Sequence, residues 1–206
     1  MTEEVSPGTC RGVCVKRLTN GYGKRDNAFT LIELLVVVGI IAILSALVLT
    51  TVGYARKKAA RARAETEIAA MSAACESYKA DNGIYPQQAS STDMLDARLS
   101  GNPSNYQTAS LYLYELLSGD NSGNRNPTGK SYMAFKPNML FPADQTQPVL
   151  YLQDPFGNSY GYSTIQAATQ NATKGYNPTF DLWSTASLTS TPGNPDTITP
   201  QWVKNW

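Results

Sequence analysis

Ala28-Phe29-Thr30-Leu31-Ile32-Glu33-Leu34-Leu35-Val36-Val37-Val38-Gly39-Ile40-Ile41-Ala42-Ile43-Leu44 is the stretch whose reading decides the fold. Glu33 is its single charge, and no charge follows from Leu34 to Ala55. That run is long enough to span a bilayer as a helix. A carboxylate at the head of such a run is costly unless something compensates it. The least costly partner is a positive charge created when the chain is cut and brought beside a second copy. The pattern points to a processed, membrane-seeded subunit rather than to an ordinary anchored domain.

Upstream, residues 1–28 are polar and carry Arg11, Lys16, Arg17, Lys24 and Arg25 against Glu3, Glu4 and Asp26. A secretory signal would place a small-residue cleavage site just after its apolar run. Here the chain passes from Thr50-Thr51-Val52 to Arg56-Lys57-Lys58, so the apolar run is expected to be kept. Arg56, Lys57, Lys58, Arg61 and Arg63 match the leader's five cations, and charge counting alone leaves the orientation open.

Downstream, nothing breaks a helix from Phe29 to about Lys79. Residues 59–70 have high helix propensity. Ile68, Met71, Cys75 and Tyr78 form one apolar stripe at three- and four-residue steps. Asp81-Asn82-Gly83 ahead of Pro86 is the expected stop. Ser110–Gly119 reads as a short helix with a glycine stop, and Ser131–Lys136 as a strand. Residues 149–163 read as strand, Asp154-Pro155-Phe156-Gly157-Asn158 turn, strand, with Thr179–Ser184 as a third strand. A small antiparallel sheet against the distal helix buries both, which makes the fold class α+β.

Composition narrows the function. Net charge is +1, with 17 basic and 16 acidic residues, which does not suggest a nucleic-acid binder. Histidine is absent, removing the commonest general base and zinc ligand, and no nucleophile–base cluster is evident. The chain is not expected to be an enzyme. Cys10 and Cys14 cannot complete a zinc site alone, and Cys75 reads as a small buried hydrophobe. Tyr106, Tyr112, Tyr114, Tyr160, Tyr162 and Trp183 fit an aromatic core, or else a membrane-anchored carbohydrate- or surface-binding module if their rings are exposed.

The residues Lys24-Arg25-Asp26-Asn27-Ala28-Phe29-Thr30-Leu31-Ile32-Glu33-Leu34 resemble the class III signal of type IV pilins and type II secretion pseudopilins. Tyr78–Pro86, Asp154–Tyr162, Phe180–Ser184 and Asn205-Trp206 resemble blocks of the G-type major pseudopilin, while residues 87–148 hold an unmatched, insertion-like stretch. The resemblance implies a type IV pilin-like fold: a long transmembrane and amphipathic helix packed on a small antiparallel β-sheet domain. It divides the chain into a cytoplasmic leader over 1–28, a transmembrane half-helix over 29–53, a periplasmic half-helix over 54–82 and a globular domain over 83–206. It implies prepilin-peptidase cleavage between Ala28 and Phe29, N-methylation of Phe29, and pairing of Glu33 with the terminal amine of a neighbour. The family usually has glycine before the phenylalanine; here alanine stands there.

The resemblance implies a single-pass protein of the bacterial inner membrane, its C-terminal domain in the periplasm. The expected partners are prepilin peptidase, further copies of the chain, minor pseudopilins and an inner-membrane assembly platform. The resulting periplasmic filament would support protein export. A type IV pilus subunit for adhesion or motility is the alternative within the class. The G-type family often binds calcium in a loop after its Asp-Leu-Tyr-Ser strand. Here Ser184 is followed by Thr185-Ala186-Ser187-Leu188, with no acid before Asp196. Asp196 is the one weak calcium candidate, so stability is expected to depend little on calcium.

Overall fold

The computed structural model describes residues 29–99, 101–189 and 199–206. Helix α1 runs from Leu31 to Asn82. It passes through two compact units, one ending at Leu47 and the other beginning at Val48. The helix is long and apolar enough to cross a membrane, and its most apolar stretch is unburied. Asn82 ends it where Gly83 turns to φ 79°, the left-handed conformation that glycine adopts without a Cβ penalty.

In the second unit, Ala64, Ile68, Met71 and Cys75 are buried on one side of α1. They meet Leu113 and Leu117 of helix α2 (Gln107–Ser118), and the side chains Leu152, Tyr162 and Leu182. Gly119 caps α2 at φ 77°, its N–H reaching Glu115 O at 3.1 Å. A side chain at Gly119 would meet the Gly129 carbonyl oxygen at 2.7 Å.

The strands are short because bends and two different partners divide them. Strand β1 (Leu140–Phe141) pairs antiparallel with β2 (Tyr151–Leu152). Strand β3 (Gly161–Ser163) pairs with β4 (Asp181–Ser184), which pairs in turn with β5 (Val203–Lys204). Between β3 and β4 lies a single helical turn, α3 (Ile165–Thr169). The expected hairpin over 149–163 exists as a turn, but its two arms belong to different sheets. Across it remain the Gln153–Ser159 bridge and the Tyr160 N–H bond to Leu152 O at 2.9 Å.

The expected strand over Ser131–Lys136 is corrected. That segment has no strand pairing, because Tyr132 N–H and Met133 N–H bond instead to Leu117 O near the end of α2. An orphan helical carbonyl is the stronger local acceptor. The strand falls later, at β1.

Strand β4 is buried on both faces. Alternation sends Leu182 and Trp183 to opposite sides. Leu182 joins the α1–α2 core, whereas Trp183 joins Leu95, Tyr106, Ala109 and Trp202 in a second cluster. Gly161 lies opposite Trp183 in register, and a Cβ there would sit 2.1 Å from the indole. Glycine at 161 is therefore what admits a fully buried tryptophan.

Candidate functional site

The head of α1 is built by its own sequence. Thr30 precedes the first helical residue, and Glu33 is the third residue inside. Thr30 N–H donates to Glu33 Oε2 at 2.9 Å, and Thr30 Oγ1 donates to the same oxygen at 2.8 Å. Glu33 N–H donates back to Thr30 Oγ1 at 3.3 Å. This is a capping box, in which residues at Ncap and N3 satisfy each other's orphan donors. Thr-x-x-Glu ahead of an apolar run is a readable signal for it, and the sequence reasoning passed over that role. Both Thr30 donors use Oε2, so Oε1 accepts from no described residue. Phe29 is 81% exposed, as is Leu31. Ala28 lies outside the described residues, as do the leader, Cys10 and Cys14.

Of the five cations after Tyr54, two turn inward. Arg61 donates through Nη1 to Gln201 O at 2.6 Å and through Nη2 to Trp202 O at 3.3 Å. Arg63 Nε donates to Glu67 Oε1 at 2.6 Å. Glu67 is buried and also accepts from Tyr160 Oη at 2.7 Å, which ties α1 to the arm after the turn. No sequence argument singled out Glu67. Its position three residues after Ala64 and four before Met71, inside the buried stripe, was the available signal.

Asp154 forms the turn, as expected, and does more. Its Oδ1 accepts from Phe156 N–H at 3.0 Å and Asn158 N–H at 2.8 Å, while Oδ2 accepts from Ser184 Oγ at 2.5 Å. The carboxylate thus joins the turn to β4. Burial pushes its pKa above the ordinary value, against the opposing pull of these donors. The Cys75 thiol is pushed up to about 12 by burial, which leaves it unreactive.

The aromatic residues divide clearly. Tyr106, Tyr114, Tyr160, Tyr162 and Trp183 are buried, and Tyr112 is half-buried with its hydroxyl donating to Gln87 O at 2.9 Å. They supply core packing rather than a ring platform, with the hydroxyls of Tyr112, Tyr114, Tyr160 and Tyr162 hydrogen-bonded and the buried Trp183 N–H without a partner among the described residues. Among the described residues, no three of the usual metal-ligating side chains converge. After Ser184, Thr185 is buried and its carbonyl accepts Leu188 N–H at 2.8 Å, closing that turn on itself. The calcium candidate Asp196 lies outside the described residues.

Residues 23–49 match the model of the prokaryotic N-terminal methylation motif. Residues 51–126 match the model of type II secretion system protein G. A type II secretion system core protein G from Vibrio cholerae is 30% identical over 115 residues, covering 55% of this chain and 73% of that protein. The protein of the same name from Pseudomonas aeruginosa is 39% identical over 80 residues, 39% of this chain and 56% of its own length. That from Pectobacterium carotovorum is 37% identical over 70 residues, 32% of this chain and 45% of its own. Against these last two, the chain spans about half the length of the curated relatives it matches. No solved structure matches it.

Proposed function

This chain belongs to the type II secretion system core protein G family, and from that premise we propose that it is a structural subunit of a type II secretion pseudopilus. Prepilin peptidase cuts between Ala28 and Phe29, and the new terminal amine is methylated. The apolar half of α1 holds the subunit in the inner membrane, with the domain after Tyr54 in the periplasm. An assembly platform then draws subunits and minor pseudopilins into a periplasmic filament that supports protein export. No catalytic step belongs to the subunit.

One observation carries this reading: a lone carboxylate at the head of a helix that carries no further charge until Arg56 keeps one oxygen that accepts from no described residue. Oε2 of Glu33 is taken by Thr30, which lowers the cost of holding the carboxylate before assembly. Oε1 is left for the ammonium of a neighbour's Phe29. Methylation keeps that amine a cation. In an apolar setting the two charges attract strongly, but each carries a desolvation cost, so the pair sets register more than stability.

Intact-mass analysis of the membrane-fraction protein tests the reading. The expected mass is that of a chain starting at Phe29 with one added methyl group. A mature start after residue 50 removes the helix head and ends the proposal.

A further inference from the structure

We propose that Tyr54, Arg56, Lys57 and Lys58 form a collar that binds the headgroups of anionic phospholipids. The inference rests on α1 being a membrane anchor. Its starting point is the unequal fate of the five cations. Arg61 is spent on the carbonyls of Gln201 and Trp202, and Arg63 on Glu67. Arg56, Lys57 and Lys58 are exposed, and no hydrogen bond or ion pair joins them to any described residue.

Their own helix offers no compensation. Three and four residues away stand Val52, Gly53, Tyr54, Ala55, Ala59, Ala60, Arg61 and Ala62, none of them acidic. Three consecutive helical positions at about 100° each fan across roughly 200° of the circumference. A protein groove reads one stripe of a helix, whereas a layer of headgroups surrounds it. The fan suits the layer. The neighbouring alanines leave room for the lysine and arginine stems to lie along the helix and lift their charges to phosphate oxygens.

Tyr54 adds a second, independent marker of depth. It is 72% exposed and lies one helical turn before Lys58. A ring with an apolar body and polar tip favours the membrane–water boundary. The uncharged run ends at Ala55, so ring, last apolar residue and first cation follow in the order that a boundary requires. The ligand class is a phosphodiester carrying net negative charge, as in phosphatidylglycerol. A zwitterionic headgroup offers no net charge to this cluster.

The test reconstitutes the full chain in nanodiscs of phosphatidylcholine with a minor share of phosphatidylglycerol, and counts retained lipids by native mass spectrometry. About tenfold enrichment of phosphatidylglycerol over its bulk share is expected, weakening as salt is raised. The R56Q/K57Q/K58Q variant should lower it to what the leader's cations alone retain, while R56K/K57R/K58R and Arg61→Gln should keep it. Because Arg56, Lys57 and Lys58 make no hydrogen bond or ion pair with a described residue, the domain should melt unchanged in both triple variants, whereas Arg61→Gln loses the bonds to Gln201 and Trp202 and should melt lower. Equal retention of both lipids by the inserted wild type overturns the collar and leaves the anchor intact. So does undiminished enrichment in the triple-glutamine variant, or equal loss in Arg61→Gln. A chain that stays in the aqueous fraction overturns both the collar and the anchor.

Discussion

The part of α1 up to Leu47 and the unit beginning at Val48 each hold carboxylates beside apolar side chains and supply them with donors differently. In the domain, Glu67, Asp96, Asp120, Asp154 and Asp181 are all buried, and each has donors from within the chain. In the first unit Glu33 has donors from one residue, Thr30, both on Oε2, and its Oε1 accepts from no described residue. Its apolar neighbours are exposed, Ile32 at 68% and Leu35 at 63%. The domain is built to be self-sufficient. On the function proposed above, the helix head is completed by a second subunit, so recognition between subunits is placed there and stability in the domain.

The largest effect should come from removing the charge of Glu33 while sparing its cap. Glutamine at N3 still completes a capping box but carries no charge. Glu33→Gln should leave the protein in the membrane fraction and the domain's melting temperature unchanged, while cross-linked ladders between neighbouring helices largely vanish. Glu33→Val should do the same and also fray the first turn, at a cost of about 1 kcal/mol. Ladders equal to wild type for Glu33→Gln would mean that the glutamate only caps its helix, and the contrast between the two units would collapse.

Gly161→Ala strikes the other side of the comparison. The added methyl would lie 2.1 Å from the ring of Trp183, which is fully buried among Tyr106 and Trp202. Neither the strand nor the indole has room to yield. The expected loss is about 3 kcal/mol or more, at the upper end of overpacking costs. Urea unfolding followed by tryptophan fluorescence measures it. Membrane insertion through the first unit should be unaffected.

Legibility followed the same division. The helix, its glycine stop and its buried stripe were readable because helical period and capping are local. The head was readable as a motif, although its capping box was missed in favour of the intermolecular role. In the domain, the Asp154 turn and β4 were readable from turn residues and alternation. The pairing of β2 with β1 rather than with β3 was not, since partner choice depends on contacts distant in sequence. Glu67 was overlooked for a related reason. Its spacing from Ala64 and Met71 puts it on the buried side of α1, but that Tyr160 is its partner follows only once the turn after Asp154 is placed.

That link offers a smaller test. Tyr160→Phe removes the hydroxyl donated to Glu67 at 2.7 Å and leaves the carboxylate with Arg63. A loss of about 1–3 kcal/mol is expected, as for a buried hydrogen bond to a charged group. Glu67→Gln in the same background should recover part of it, because the group left buried is then neutral. Additive losses in a double-mutant cycle would separate the two residues and weaken the claim that domain acids are satisfied from within.

A pH dependence of similar size is expected to centre on Asp181. Its Oδ2 accepts Tyr176 N–H at 2.8 Å and its Oδ1 accepts Asn177 N–H at 2.8 Å. Burial outweighs these donors and raises the carboxyl to about 6, with Asp96 adding to the rise and Arg98 opposing it. The unfolded chain should titrate this group near the ordinary value of 3.8. Between the two values the folded state holds more proton than the unfolded one, so stability falls as pH rises through that window. The contribution is complete below the unfolded value and lost above about 6. Asp181→Asn keeps an acceptor for one N–H and cannot ionise, so it should flatten this segment of the curve. Chemical denaturation at closely spaced pH between 4 and 7 would resolve a change on the order of 1–3 kcal/mol. If wild type instead gains stability across that interval, the two backbone donors outweigh burial and Asp181 is a fully satisfied carboxylate. The domain would then compensate its acids even more completely than the helix head, and the contrast between the two units would sharpen.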